Sequence, residues 1–409
     1  MIKAIVIVIP ILIALDIYVF KGLFPFMDVE NLALKKGMKI GYWVISAIVI
    51  LSMIVLIIYF SAIRKEHPIF WVVFASIFSV IFIPKLVFAG FHLIDDLFNL
   101  ITWSANKIFS DGTDWGRRNF ITKIGLGVSA VLMGAFAYGV TKGKYAFRVM
   151  SDVVPSKRLP DAFDGFKIVQ LSDAHLGSFI NNYGPIEKMV QMVNDLNPDL
   201  IVFTGDMVNE HAQEAEGWEH VFKELKSKYG KYSIFGNHDY AHYGPWNAEE
   251  QADSVARLKE VHRKMGFRLL LDERESVQVG EAQIDIVGVH NWGKGFGEIG
   301  DLDKALAGSD ASIFKVLLSH DPTHFEHKVM GKAPVDLTLS GHTHGMQMGL
   351  EIPALGIKWS PVSMRYKRWG GLYQEGDQFI HVNRGMGVLG FPGRVGMPPE
   401  VSFIELKKA

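Results

Sequence analysis

Residues 335–345 read VDLTLSGHTHG, a strand-like run that ends in two histidines separated by one residue. Apolar side chains alternate with polar ones before Gly341, which predicts a β-strand. The flanking glycines permit a tight turn at the end of that strand. The stretch therefore predicts a strand whose carboxyl end presents His342 and His344.

Four other segments have the same form, and each runs from β-forming residues into a carboxylate, an amide or an imidazole. They are QLSDAHLG (170–177), VFTGDMV (202–208), FGNHD (235–239) and LLSHDP (317–322). The carboxyl ends of strands carry the ligand chemistry of α/β sheets, so we expect these side chains to meet. Oxygen and imidazole donors without sulfur favour divalent Mn, Fe or Zn.

The segment 151–409 alternates short β-rich runs with helical stretches and then continues in runs of strands. That pattern predicts a domain of mixed α/β and α+β type, an αββα sandwich with mixed sheets. About 250 residues is a natural size for one such domain.

The five motifs D-x-H, G-D, G-N-H-[DE], H and G-H-x-H occur in that order within this domain. The pattern resembles the calcineurin-like metallophosphoesterase superfamily, whose fold is also the αββα sandwich. SDAHLG, GHTHG-x-Q and RGMG look like the narrower group of YkuE/YaeI-like bacterial membrane-associated phosphoesterases. The sequence departs from that group at Met346, which stands where a second glycine is usual.

The resemblance implies a site with two divalent metal ions, Mn, Fe or Zn. One ion would be held by Asp173, His175 and His344, the other by Asn237, His320 and His342, with Asp206 bridging them. Metal-bound hydroxide would attack phosphorus in a phosphomonoester or phosphodiester. The resemblance further implies that His238 contacts the phosphoryl group and protonates the leaving oxygen, oriented by Asp239. A purely structural hydrogen bond is the alternative role for His238.

Two glycine-rich stretches, 295–300 and 385–390, match G-x-G-x-x-G. Prolines follow the second stretch and only a short helix follows the first, so neither predicts a dinucleotide turn. We expect them to form walls over the metal cleft instead. The residues predicted to contact the phosphate or head group are His290, Asn291 and Arg384.

The region 1–148 is much more apolar than the rest of the chain. Four stretches, 2–20, 40–62, 69–91 and 121–140, are each about 20 residues long, enough to cross a bilayer as a helix. The segment 91–109 mixes charged and apolar residues, which is typical of an interfacial amphipathic helix. Asp16 and Lys85 lie within the predicted spans and indicate either an ion path or locally satisfied charges.

Two observations bear on the side of the membrane that carries the catalytic domain. Six basic residues flank the spans on the side shared with that domain and eight on the other, a weak positive-inside signal. The stretch WGRRNFITK (115–123) resembles a twin-arginine export signal, although such signals normally open a chain. Both favour a catalytic domain outside the cytoplasm.

Composition excludes several classes of protein. The chain has no cysteine, which excludes disulfides and thiolate metal sites, and its net charge of −1 argues against a nucleic-acid partner. The sequence thus predicts a membrane-anchored phosphoesterase acting on a phosphoester substrate, with a lipid or lipid-linked ester favoured because of the bilayer. The alternatives are a transporter or sensor with a regulatory phosphoesterase domain, and a cytoplasm-facing UDP-diacylglucosamine-type hydrolase. The oligomeric state stays open.

Overall fold

The structure is a computed structural model that describes residues 2–27, 29–66, 68–109 and 120–409. The chain divides into two compact units, Met1–Val140 and Thr141–Ala409. The predicted twin-arginine pair lies outside the described residues. We describe each unit by itself.

The first unit consists of four long apolar helices. They are α1 (Ile2–Leu23), α2 (Leu32–Glu66), α3 (Pro68–Phe109) and α4 (Phe120–Thr141). Each is long and apolar enough to cross a membrane, which confirms the predicted set of four. The segment 91–109 is not a separate interfacial helix, because α3 continues through it to Phe109.

Three buried or half-buried charged residues of this unit, Asp16, Lys85 and Asp95, have partners inside it. The Lys85 ammonium lies 2.6 Å from Asp16 Oδ1 and also donates to the Ser46 hydroxyl at 3.0 Å. Thr122 on α4 donates to Asp95 on α3 at 2.7 Å. Polar groups at membrane depth need internal partners because lipid offers none, and these side chains supply one another with partners.

The second unit contains two six-stranded sheets. The strands of the first sheet are, in spatial order, β1 (Arg148–Ser156), β14 (Glu400–Lys408), β2 (Phe166–Leu171), β3 (Leu200–Phe203), β4 (Lys231–Ser233) and β5 (Arg268–Leu269). Those of the second are β12 (Gly371–Glu375), β13 (Gln378–Val382), β9 (Leu337–Ser340), β8 (Phe314–Leu318), β7 (Ala282–Gly288) and β6 (Glu273–Val279). A two-stranded hairpin, β10 (Leu350–Ile352) and β11 (Ile357–Trp359), stands apart from both. The sheet begins at Arg148, three residues before the predicted start of the domain.

Burial shows four layers. Apolar residues of both sheets, such as Ile168 and Val316, are buried together in the centre of the sandwich. Helices α5 (Gly184–Asp195), α6 (Glu219–Lys223) and α7 (Ala248–Lys264) pack on the outer face of the first sheet. Helix α8 (Leu302–Leu306) packs on the outer face of the second. The αββα sandwich with mixed sheets is confirmed.

The parallel strands determine where the chemistry lies. Strands β2, β3 and β4 run parallel in one sheet, and β7, β8 and β9 run parallel in the other. Their carboxyl ends therefore open onto shared edges of the two sheets, the position at which α/β folds bind ligands. The five motifs follow β2, β3, β4, β8 and β9.

Candidate metal centre and active-site cleft

The structure brings the predicted ligands together in two clusters. Asp173, His175 and His344 form the first, and Asp206, His320 and His342 form the second. Within each cluster the candidate ligand atoms lie within 4.8 Å of one another. Residues that are up to 171 positions apart in the sequence thus converge because their strands end side by side.

The backbone at these positions is strained. Five of the predicted ligands have left-handed backbone torsions: φ is 52° at Asp173, 44° at His175, 60° at Asp206, 69° at His342 and 53° at His344. Such torsions cost free energy in residues other than glycine and persist where the surrounding structure imposes them, often at functional sites. The backbone is therefore held in the conformation that directs these side chains inward.

Two motif glycines are required because candidate ligand carboxylates lie too close to their backbone for a side chain to fit. A Cβ atom at Gly236 would lie 2.2 Å from Asp206 Oδ1, and one at Gly341 would lie 2.3 Å from Asp173 Oδ2. Any side chain at either position would displace a candidate ligand. The glycines of G-N-H-D and G-H-T-H-G are thus explained by the space that the carboxylates occupy.

One carboxylate contacts both clusters. Asp206 Oδ2 lies 3.6 Å from Nε2 of His175, in the first cluster, and 3.1 Å from Nε2 of His320, in the second. Asp206 Oδ1 accepts a hydrogen bond from the backbone N–H of His238 at 2.9 Å, which fixes the orientation of the carboxylate. This position is the one that a bridging ligand requires.

The ligand atoms of the second cluster are arranged to bind a cation. His320 Nδ1 lies 2.7 Å from the carbonyl oxygen of Thr204 and must donate to it, which leaves Nε2 of the neutral ring as a lone pair. Within the described residues this Nε2 and Asn237 Oδ1 are buried without a hydrogen-bond partner. The same Nε2 faces the Asp206 carboxylate, so two acceptors meet and a proton or a cation must lie between them.

Electrostatics favour positive charge in the second cluster and neutral rings around it. Burial lowers the pKa of His320, but the Asp206 carboxylate outweighs burial and raises that pKa to about 10. Burial lowers the pKa of His342 to about 4 and takes that of His175 well below its ordinary value. His342 and His175 are therefore neutral, the state in which imidazoles bind metal ions, whereas the proton on His320 lies beside Asp206, where a cation would take its place.

Asp239 is bonded to backbone N–H groups and not to the His238 ring, the partner predicted for it. Its carboxylate accepts hydrogen bonds from the backbone N–H groups of Asp206, Met207 and Gly236, each at 2.8 Å. His238 is held by another group: its Nδ1 lies 2.5 Å from the carbonyl oxygen of Asn209. Asp239 therefore ties the loop after β3 to the loop after β4 and positions Asp206.

The predicted substrate contacts are not at the cleft. The Arg384 guanidinium is buried between Glu400, at 2.7 Å, and Glu351, at 2.5 Å, and both carboxylates neutralise it. His290 is bonded to the Tyr240 hydroxyl, and Asn291 donates to the carbonyl oxygen of Phe296. These side chains support loops through the bonds named above, and none of the three is in the lining of the cleft.

A cleft of about 460 Å³ opens over the second cluster. Its polar lining comes from Asp206, Asn237, His238, His342, Thr343 and Arg365. Most of the remaining lining is apolar or aromatic, as in Tyr243, Phe296, Met346, Val362, Met364, Tyr366 and Leu389. The two glycine-rich stretches do contribute walls, through Phe296 and through Leu389.

Sequence reasoning missed several residues of the site. Asp321 is buried, and its Oδ2 lies 3.4 Å from Nε2 of His342. Tyr366 also contacts that Nε2, at 3.0 Å, and Tyr243 accepts from the Asn237 amide at 2.9 Å. The adjacency of Asp321 to His320 in LLSHDP was a usable signal, because carboxylates often orient ligand histidines. The tyrosines carry no motif.

Comparison with known families covers both units. Residues 166–346 match the family described as "Calcineurin-like phosphoesterase", and residues 2–144 match "Probable Calcineurin-like phosphoesterase, transmembrane domain". The metallophosphoesterase YkuE of Bacillus subtilis is 30% identical over 278 residues, which cover 67% of this chain and 90% of YkuE. This chain belongs to the calcineurin-like metallophosphoesterase family. It is thus a membrane-associated hydrolase of phosphoric esters.

Two further relatives show how widely this metallophosphoesterase architecture occurs. A "Transmembrane protein with metallophosphoesterase domain" of Danio rerio is 28% identical over 291 residues, covering 70% of this chain and 63% of that protein. The metallophosphoesterase YkoQ of B. subtilis is 25% identical over 283 residues, covering 69% of this chain and 98% of YkoQ. The family implies divalent metal ions, and the two clusters are where this chain could hold them.

Proposed function

We propose that this metallophosphoesterase hydrolyses lipid or lipid-linked phosphoesters at a dinuclear metal centre. The observation that carries the dinuclear part is the position of Asp206, whose one carboxylate contacts both clusters. The proposed ligands are Asp173, His175 and His344 for one ion and Asn237, His320 and His342 for the other, with Asp206 shared. Oxygen and nitrogen donors suit Mn, Fe or Zn.

The protein's own groups have separate roles in the proposed reaction. A pair of divalent cations supplies Lewis acidity and a nucleophilic hydroxide at neutral pH. Because His238 donates through Nδ1 to the Asn209 carbonyl, its Nε2 is the ring atom left for the cleft. Protonated Nε2 would give its proton to the oxygen that leaves phosphorus. Arg365 is the guanidinium in the cleft lining, placed to bind a phosphate oxygen.

The proposal of a lipid substrate rests on the apolar wall of the cleft and on the short segment that joins the catalytic unit to α4. The cleft wall beyond the polar residues is apolar, with Met346, Val362 and Leu389 as examples, and would suit the first methylenes of an acyl or prenyl chain. Only residues 142–147 separate the end of α4 from β1, so the catalytic unit stays within reach of a bilayer. A lipid phosphoester is the substrate class that both features favour.

We further propose that the catalytic unit lies outside the cytoplasm, on the basic-residue count given above. A reporter that is active only outside the cytoplasm, fused after Ala409, should then be active in cells. Activity from a cytoplasm-only reporter instead would reverse this assignment and favour a nucleotide-linked lipid as substrate.

The test compares full-length protein in liposomes with the detached unit 141–409, which keeps the complete strand β1. Both are assayed with Mn, Fe and Zn on a soluble chromogenic diester and on lipid phosphoesters in the vesicles. We expect similar rates on the soluble diester and a higher rate for the full-length protein on the lipid. If the ratio of the full-length rate to the detached-unit rate is the same on the lipid and on the soluble diester, the proposed substrate class is contradicted. Inactivity on every ester with every metal would contradict the metal centre.

A further inference from the structure

The hairpin of β10 and β11 has a one-sided pattern of residues. Leu350 is paired with Trp359, and Ile352 is paired with Ile357. Because alternate residues of a strand share a face, these four apolar side chains lie on the same face of the hairpin. Glu351 and Lys358 form the remaining pair, on the opposite face.

The charged face is the one directed at the protein. Glu351 accepts from the buried Arg384 guanidinium at 2.5 Å. Lys358 donates to the carbonyl oxygen of Gly370, and its ammonium lies 5.1 Å from the centre of the Trp369 ring. The hairpin thus directs its charges inward and its apolar side chains outward, the reverse of the pattern expected for a hairpin in water.

The outward side chains form an exposed apolar surface. Leu355 at the tip is 68% exposed, Trp359 is 54% exposed, and Met364 just after the hairpin is 85% exposed. We name as the docking face the set Leu350, Ile352, Leu355, Ile357, Trp359 and Met364. Contiguous apolar surface of this kind is uncommon on soluble monomers and usually marks an interaction site.

Two exposed basic residues follow the docking face in the sequence. The segment 346–370 contains four basic residues and one acidic residue, Glu351, which is paired with Arg384. Of the four, Lys358 is directed inward and Arg368 is paired with Glu326 and Glu375. Arg365 and Lys367 are exposed, and no carboxylate of the described chain lies within ion-pair distance of either. Apolar and aromatic side chains flanked by cations match the interface of an anionic bilayer, in which each cation adds electrostatic attraction.

The docking face is attached to the active-site cleft. Ser360, which follows β11, donates to the carbonyl oxygen of Gly345 at 2.7 Å and so fixes the segment beside His344. Met364 belongs to the docking face and also lines the cleft, next to Arg365. A surface that touches the docking face therefore lies at the mouth of the cleft.

We propose that the docking face inserts into the interfacial layer of an anionic bilayer and holds the mouth of the cleft at the level of the lipid head groups. The occupant is a lipid surface because exposed leucine, isoleucine and tryptophan side chains are combined here with exposed cations that no carboxylate of the described residues neutralises. Docking itself is independent of catalysis. Only its consequence, delivery of a lipid phosphoester to the cleft, rests on the proposed function.

The absence of cysteine permits a direct test with single-cysteine variants of the full chain. Leu355→Cys reports on the docking face. Val153→Cys is the matched control, because Val153 is also an exposed apolar strand residue but lies on β1. Each variant is labelled with an environment-sensitive fluorophore and reconstituted in phosphatidylcholine vesicles with and without phosphatidylglycerol.

We expect lipids brominated on their acyl chains to quench the label at 355 and to leave the label at 153 unchanged. Aqueous iodide should quench the label at 153 strongly and the label at 355 only weakly. Lys367→Gln should weaken the quenching by brominated lipid at 355 in vesicles that contain phosphatidylglycerol, because one cation is lost. Equal access of iodide to both labels would overturn the proposal. So would a label at 355 that is shielded from iodide, insensitive to brominated lipid and cross-linked to a second copy, since the face would then bind another chain.

An activity measurement separates docking from the proposed substrate. Leu355→Ser should lower turnover of a lipid phosphoester in vesicles on the order of tenfold, the equivalent of one buried leucine side chain, and leave the rate on a soluble diester unchanged. An equal loss on both esters would overturn the link between docking and delivery. Insertion of the label at 355 without hydrolysis of any lipid ester would support docking and contradict the proposed function.

Discussion

His238 Nδ1 lies 2.5 Å from the carbonyl oxygen of Asn209, so this nitrogen carries a hydrogen and the Nε2 atom is the one available to the cleft. If Nε2 protonates the leaving oxygen, His238→Ala should lower kcat by roughly 10²–10⁴ with both metal ions retained. The loss should be smaller for a nitrophenyl ester than for an alkyl ester, because nitrophenolate leaves without a proton.

Rates on the two esters, together with metal content by elemental analysis, check this prediction. His242→Ala is the control, since His242 is exposed and does not line the cleft. Equal losses on both esters, or an emptied metal site, would assign His238 a structural or phosphate-binding role.

The position of Asp206 between the clusters predicts the effect of its neutralisation. Asp206→Asn removes the charge that separates two cations, so at least one metal ion should be lost together with most of the activity. Elemental analysis of the purified variant measures this directly. Asp253→Asn, at an exposed carboxylate of α7, should retain the wild-type metal content. Two ions bound to Asp206→Asn would show that the bridge lies elsewhere.

Asp321 should act on metal affinity through His342. Its Oδ2 lies 3.4 Å from Nε2 of His342. Carboxylates that orient a ligand histidine typically contribute 10–100-fold in metal affinity, so we expect Asp321→Asn to lose affinity by about that factor. Competition with a chromogenic chelator gives the dissociation constants. Asp310→Asn serves as a control at an exposed carboxylate whose pKa is lowered by the backbone N–H of Ser312. Unchanged affinity for Asp321→Asn would assign Asp321 to packing alone.

His262 should make the catalytic unit sensitive to acid. It is fully buried beside Phe203 and Phe235, and burial lowers its pKa to about 3. The unfolded chain binds this proton at pH values below its ordinary pKa of about 6.5, whereas the folded state does not, so stability is present at neutral pH and falls as the pH decreases. Between pH 7 and pH 5 this one group should cost roughly 2 kcal/mol of unfolding free energy.

Denaturant unfolding of unit 141–409 at the two pH values checks this prediction, with His262→Gln as the comparison. The variant loses the imidazole and should therefore show a smaller pH dependence than the wild type. A difference between pH 7 and pH 5 that is the same in both proteins would show that other groups cause it.

The ion pair of Asp16 and Lys85 predicts a pattern among variants of the membrane unit. Asp16→Asn or Lys85→Met leaves one charge without its partner and should destabilise the helices, by roughly 3 kcal/mol if the environment is as apolar as a protein core. The double variant should recover a large part of this loss, because no isolated charge is left. Unfolding in mixed micelles measures all three. A double variant that is as unstable as the sum of the single variants would show that the two residues act independently.

The strand ends and the order of motifs were sufficient to predict the sandwich and the convergence of the ligands, because strand periodicity and side-chain chemistry are both local properties of the sequence. The contacts of Asp239 and Arg384 were not predictable in this way. Asp239 accepts from the backbone N–H of Met207, 32 residues earlier, and Arg384 is neutralised by Glu351 on the hairpin. The sequence motif around a carboxylate or a guanidinium is identical whether that group binds substrate or another part of the protein. Only the tertiary structure distinguishes a substrate contact from an internal ion pair or hydrogen bond.

Strand β14, formed by Glu400–Lys408, lies between β1 and β2 in the first sheet. During synthesis, β1 and β2 emerge more than two hundred residues before the strand that joins them. The four apolar helices are complete earlier still, so they can enter a membrane while the first sheet is still open. Translation order therefore separates the two units in time: insertion comes first. The candidate metal ligand Asp173, at the end of β2, gains its final framework only after residue 400 has been added.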